Sequence, residues 1–172
     1  MHDLFKKRRS IRRFTSQKPT DEQIKEILTA AMVAPSAKNL HPVDYVVVRD
    51  KKKLERLSKC GSFQEFVKKA LVVIVVVADP VKSDRFWLLD ATLAAAHIYL
   101  EATNQGLGTC WAHVLESKNE KRQGRETLVK KALNIPEEKR ILCLLPIGYP
   151  DEKVSEHREA EYNEDKVHWG GW

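Results

Sequence analysis

One run constrains the fold more than any other: Leu71-Val72-Val73-Ile74-Val75-Val76-Val77. β-branched side chains lose rotamer freedom in a helix and pack well on a pleated surface, so this run reads as a strand. Successive strand residues point to opposite faces of a sheet. A strand that is apolar at every position therefore buries both faces, and its sheet carries helices on both sides.

Two further apolar runs read as strands, Val43-Asp44-Tyr45-Val46-Val47-Val48 and Ile141-Leu142-Cys143-Leu144-Leu145-Pro146-Ile147-Gly148-Tyr149. Pro146 withholds one ladder donor from the second. Residues 109–114 read as another strand. Thr20 and Gln23 have the spacing of a capping box, which opens a helix with Ile24, Ile27, Leu28 and Ala31 on one face and Pro35 as its stop. Asp3 is expected to cap a short helix through residue 9. Residues 51–58, 63–69 and 117–133 also read as helices, the last with a kink at Gly124. The longest helix, 86–105, is apolar nearly all round and rich in alanine (Ala91, Ala94, Ala95, Ala96, Ala102), so it should be central and lie at a subunit contact. His97 within it reads as a hydrogen-bonded core residue. Gly106 suits a helix C′ cap; Gly106-Leu107-Gly108 is not half of a dinucleotide fingerprint, because it follows a helix instead of opening one. Beyond Pro150 the chain reads as polar and irregular, ending in Trp169 and Trp172, whose burial a partner subunit could supply.

The 172 residues suit one domain, 1–172. No apolar run has the ~18 residues of a membrane helix, the start is too polar for a signal peptide, and three distant cysteines imply neither a disulfide framework nor a zinc site. A cytoplasmic protein without membrane or metal partners is expected. Cys60, Cys110 and Cys143 leave a Cys–His nucleophile open, although Cys110 and Cys143 lie in core strands where inert thiols are the rule. The net charge of +6 is unevenly placed. Lys6, Lys7, Arg8, Arg9, Arg12 and Arg13 face only Asp3 at the front, whereas residues 151–166 hold seven acids against three bases. That polarity suits a local anion site better than a nucleic-acid groove, and no nucleic-acid partner is expected.

Arg8-Arg9-Ser10-Ile11-Arg12 combines planar charged forks with a hydroxyl, the donors that a phosphate needs, while Ile11 and Phe14 offer apolar anchors. A solvated basic tail is the competing reading. Ala34-Pro35-Ser36-Ala37-Lys38-Asn39-Leu40-His41-Pro42 is either a binding loop or a plain turn.

Taken in order, these pieces resemble the FMN-dependent nitroreductase family. The matching segments are Arg8 to Arg12, Ala34 to Asn39 with Pro42, Gly106-Leu107-Gly108-Thr109-Cys110-Trp111, Ile147-Gly148-Tyr149-Pro150 and Val167-His168-Trp169. The resemblance implies an α+β fold, three-layer α/β/α with a central mostly antiparallel sheet, and a homodimer with an exchanged C-terminal segment. It assigns Arg8, Arg9, Ser10 and Arg12 to the FMN phosphate and ribityl chain, with Arg12 also near the N1/O2 edge. Pro35, Ser36, Ala37 and Asn39 are assigned to a loop laid on the flavin by the other subunit. Ala112 and His113 match the turn facing N5, Arg158 a late phosphate ligand, and Gln64 the polar edge of the ring. Three positions depart from the family pattern: His41 where Gln is common, His113 where Gly is common, and Glu156 where longer relatives carry a basic residue. The implied activity is hydride transfer from NADH or NADPH through FMN to a nitroaromatic, quinone or similar small acceptor, by double displacement and with no catalytic side chain. The alternatives are a reductive dehalogenase or a flavin-fragmenting synthase on the same fold, or a non-enzymatic basic module that binds nucleic acid.

Overall fold

The computed structural model describes residues 1–61, 65–119 and 121–172. Its sheet is built around β2 (Val72–Ala78), buried at every position. Val72, Ile74, Val76 and Ala78 enter one core cluster, whereas Val73, Val75 and Val77 enter the other. The strict alternation follows from the two-residue period of a strand, so one apolar run organises both cores.

β1 (Val43–Val48) and β5 (Arg140–Gly148) flank β2, and both pairings are antiparallel. Pro146 lies opposite Val73 inside the ladder. The far side of β5 takes two short antiparallel pieces, β3 (Gly108–Thr109) and β4 (Ala112–His113). The expected strand over 109–114 is thus broken at Cys110 and Trp111. α2 (Asp21–Met32) and α5 (Trp87–Asn104) cover one face through Ile24, Ile27, Ala31, Ala91, Ala95 and Ile98. α3 (Lys51–Ser58), α4 (Glu65–Lys69) and α6 (Arg125–Leu133) cover the other through Leu54, Leu57, Val67 and Val129. This is the expected three-layer arrangement with an antiparallel sheet.

Local chemistry sets the helix ends. Thr20 and Gln23 form the reciprocal capping box, at 3.1 and 3.0 Å. α5 closes with Gly106 at φ +72°, Leu107 N donating to Ala102 O at 2.8 Å and Gly106 N to Thr103 O at 3.0 Å, a Schellman turn. His97 Nδ1 meets Ala30 O at 2.9 Å and ties α5 to α2.

Two expected helices differ from the structure, and the start of a third lies outside the described residues. α1 (Asp3–Lys7) ends before Arg8 and is capped by His2, not Asp3. The helix expected over 63–69 is described from Glu65; Phe63 lies outside the described residues. The one expected over 117–133 starts only at Arg125, with Gly124 as its N-cap. Before it, Asn119 Oδ1 accepts Gln123 N and Arg125 N donates to Ser117 O, so a turn takes the backbone groups that a helix would need. The segment after Pro150 is also more ordered than expected, with 3-10 turns at Glu159–Glu161 and Glu164–Lys166.

Candidate active site

The basic N-terminal stretch is packed against the body of the protein. Ser10 bridges Thr109, Ile11 N donates to Thr109 O at 2.9 Å, and the Ile11 side chain is buried. The chain leaving β5 returns antiparallel beside it. Thr15 N donates to Tyr149 O, Asp151 N to Arg13 O and His157 N to Lys6 O, each at 2.9 Å. The Glu152 carboxylate accepts Arg12 N at 2.5 Å and Arg13 N at 2.9 Å. Those amide bonds, the Arg12 one first, hold its pKa below the usual carboxylate value. Arg9 Nη1 donates to Ser155 O at 2.6 Å. The acidic back of the sequence therefore lies on its basic front.

The arginines there keep their charge available. Among the described residues the arginine ion pairs belong to Arg13, Arg49 and Arg140. Arg8, Arg9, Arg12 and Arg158 are in none of them. Arg8 Nη2 lies 2.9 Å from His157 Nε2, and its guanidinium is 5.9 Å from the centroid of the Tyr99 ring. Arginine only donates, so Nε2 accepts and the Nδ1 proton faces Glu161, 2.8 Å away.

The turn after α5 closes the other side. A Cβ on Gly108 would stand 2.6 Å from Ile11 Cβ, so only glycine lets the arm lie this close. Trp111 N donates to Tyr99 Oη at 2.5 Å instead of to β5, which is why β3 and β4 are separate. Ala112 is buried and His113 exposed. Trp111 Nε1 donates to His113 Nδ1 at 3.3 Å, and Arg125 Nη1 to His113 O at 3.2 Å. The Thr109 hydroxyl is buried with no hydrogen-bond partner among the described residues. Burial pushes the Tyr99 phenol and the Cys110 thiol up in pKa, the thiol of Cys143 well up, and that of Cys60 to about 11. All three thiols stay protonated near neutral pH, which argues against a cysteine nucleophile.

The loop from Pro35 to Asn39 sits at the opposite end of α5. Buried Asp90 accepts Ala37 N at 2.9 Å on Oδ1 and the Ser83 hydroxyl at 3.0 Å on Oδ2. Lys38, Asn39 and His41 have φ of 52°, 56° and 44°, a costly conformation for residues with a Cβ. Ser36 Oγ accepts His41 N at 2.9 Å, and the His41 ring lies 2.7 Å from Asn39 Oδ1. These bonds fix the loop's conformation.

One chain therefore brings together Arg8, Arg9, Ser10, Arg12, the turn with Ala112 and His113, and the segment bearing Arg158. It leaves Pro35, Ser36, Ala37 and Asn39 apart. Asp90 and Tyr99 are nine residues apart on one helix, about 14 Å along its axis. Gln64 lies outside the described residues. Sequence reasoning did not assign Asp90, Tyr99, Glu152 or His157 to the site; Asp90 is a carboxylate in a largely apolar helix. That polarity was the one available signal. Among the described residues no His/Cys/Asp/Glu cluster could hold a metal, and no helix is long and apolar enough to cross a membrane.

The family model of the nitroreductase family matches residues 5–60 and 58–149. The chain belongs to the nitroreductase family. An FMN-dependent nitroreductase of solved structure from Clostridium difficile is 35% identical to this family member, with a TM-score of 0.94 over 98% of both chains. A protein of Archaeoglobus fulgidus, provisionally named NADH dehydrogenase/NAD(P)H nitroreductase, is 36% identical over 96% of this nitroreductase-family chain and 94% of its own length. The iodotyrosine deiodinase of Thermotoga neapolitana is 29% identical over 94% of both.

Proposed function

We propose that two copies of this chain form an NAD(P)H-dependent FMN oxidoreductase that passes reducing equivalents to a nitroaromatic, a quinone or a similar small acceptor. The coarser statement, an NAD(P)H-dependent FMN oxidoreductase, follows from family membership and the relatives. The observation that carries the reading is the docked arginine arm. Its donor set fits the flavin mononucleotide: permanently charged forks not spent on carboxylates, a serine hydroxyl, and the unpartnered Thr109 hydroxyl beside them. Arg8, Arg9, Ser10 and Arg12 would hold the phosphate and ribityl chain, with Arg158 reaching in from the return segment. When bound, FMN supplies acceptance and return of a hydride at N5. Ala112 and His113 are assigned to the edge of the ring, where backbone N–H groups stabilise added negative charge. The rival nucleic-acid reading loses support because the basic arm is folded into the protein.

The placement of the loop supports a second copy in this reading. The Pro35–Asn39 loop is separated along α5 from its own chain's arginine arm, so it would complete the partner's site. Leu88, Leu89 and Leu93 form an exposed apolar face on α5, and Trp169 and Trp172 are 85% and 104% exposed in the single chain. A partner would cover both, with the C-terminal segments exchanged. We place the dimer in the cytoplasm.

Coenzyme and acceptor would occupy the same position in turn. Initial-rate lines at several acceptor concentrations should then be parallel, and the purified protein should show the absorption bands of flavin. Intersecting lines would require a ternary complex and a different site. The Thermotoga relative supports a second reading, reductive removal of an aryl halide. Iodotyrosine turnover faster than nitroaromatic turnover would favour it.

A further inference from the structure

We infer that Tyr99 is a positioning residue that fastens the phosphate arm and the N5-facing turn to a single point on α5. The inference rests on the flavin reading above. Tyr99 is buried near the end of α5, and a phenylalanine would fill the same space in the core. Its phenol oxygen must therefore be accounted for by what it binds, because a buried hydroxyl is costly unless hydrogen-bonded. Three contacts of different kinds converge on this side chain. The oxygen accepts Trp111 N–H at 2.5 Å, at the break between β3 and β4. Ser10 lies beside the same phenol and the Cys110 thiol, where it opposes the upward pull of burial on the pKa of each. The Arg8 guanidinium lies over the ring at 5.9 Å.

The consequence is a shared anchor. Arg8 and Ser10 belong to the phosphate arm, while Trp111 immediately precedes Ala112 and His113. With the oxygen gone, the Trp111 amide has no partner in the break and the turn loosens. With the ring gone as well, Arg8 loses the surface that sets its direction. The two roles separate by substitution. Tyr99→Phe keeps the ring beneath Arg8 and removes only the oxygen; Tyr99→Leu removes both.

The test measures FMN and riboflavin affinities by flavin fluorescence in the wild type, Tyr99→Phe, Tyr99→Leu and Arg158→Ala, together with amide exchange at Trp111 and the visible flavin band. Tyr99→Phe should weaken both flavins by the same factor, roughly tenfold, because the turn acts on the ring they share. Its Trp111 amide should exchange faster and its flavin band should shift. Tyr99→Leu should in addition lower the preference for FMN over riboflavin. Wild-type affinities, band and Trp111 exchange in Tyr99→Phe, beside an Arg158→Ala chain that has lost FMN preference, overturn the positioning role alone. An Arg158→Ala chain with wild-type FMN preference overturns the phosphate site and this inference with it.

Discussion

Replacing Glu152 by alanine should release the N-terminal arm. The carboxylate accepts two arm amides, at 2.5 and 2.9 Å, and Arg13 Nε lies 3.8 Å away. A hydrogen bond to a charged group is worth about 1.5–3 kcal/mol. The Glu152 side chain is 19% exposed, so water replaces part of what is lost, and about 2 kcal/mol for the pair is a fair figure. The Arg13 contact adds little, because that guanidinium is 66% exposed. A loss of about 2 kcal/mol raises the undocked population roughly 30-fold. Trypsin reads that population, since Arg8, Arg9, Arg12 and Arg13 are its targets and cleavage follows the open fraction when reclosing is fast. Cleavage between residues 8 and 13 should accelerate by that factor. Glu156→Ala, a change to an exposed acid of the same segment, should leave it unchanged. Wild-type cleavage in Glu152→Ala at unchanged global stability would refute the argument that this carboxylate holds the arm.

Gly108→Ala should weaken FMN binding roughly tenfold, because the new methyl meets Ile11 at 2.6 Å and the arm must move; Gly171→Ala, in open space, should not, and equal affinities in a titration would count against the close approach. Leu93→Asp on the exposed face of α5 should convert the dimer to monomer in sedimentation, given an interface above the ~2,000 Å² of obligate pairs. A persistent dimer would place the contact elsewhere. Glu152 has a folded pKa below its ordinary 4.5, so its contribution to arm docking is complete above that value and is lost as the pH falls through the depressed one. Exchange of the Arg12 and Arg13 amides should rise on acidification below about 4.5, and Glu152→Gln should abolish that dependence.

The parts that were legible in the sequence are those governed by local periodicity and capping. The valine run specified a doubly buried strand, Thr20 and Gln23 a helix start, and Gly106 a helix stop, each within a few residues. The errors fall where distant groups compete for the backbone. The 109–114 strand breaks because Trp111 N–H goes to a phenol on α5, twelve residues earlier. The 117–133 helix is delayed because Asn119 captures Gln123 N first. At the site, motifs marked the arginines and the loop, whereas their fastenings were invisible. Glu152 lies 140 residues from Arg12, and His157 lies 149 from Arg8. No spacing rule reaches that far.

The central claim is that the arginine arm and Arg158 form a phosphate site. Riboflavin shares the ring of FMN and lacks the phosphate, so comparing the two ligands isolates that site. Arg158 contributes its amide to Glu161 at 3.0 Å, a bond that Arg158→Ala keeps, and among the described residues its guanidinium is in no ion pair. Losing one or two charge-assisted bonds of about 1.5–3 kcal/mol in all should weaken FMN roughly 10- to 150-fold. Riboflavin affinity, measured in the same titration, should stay at its wild-type value. Equal losses for both flavins, or no loss for either, would contradict the account.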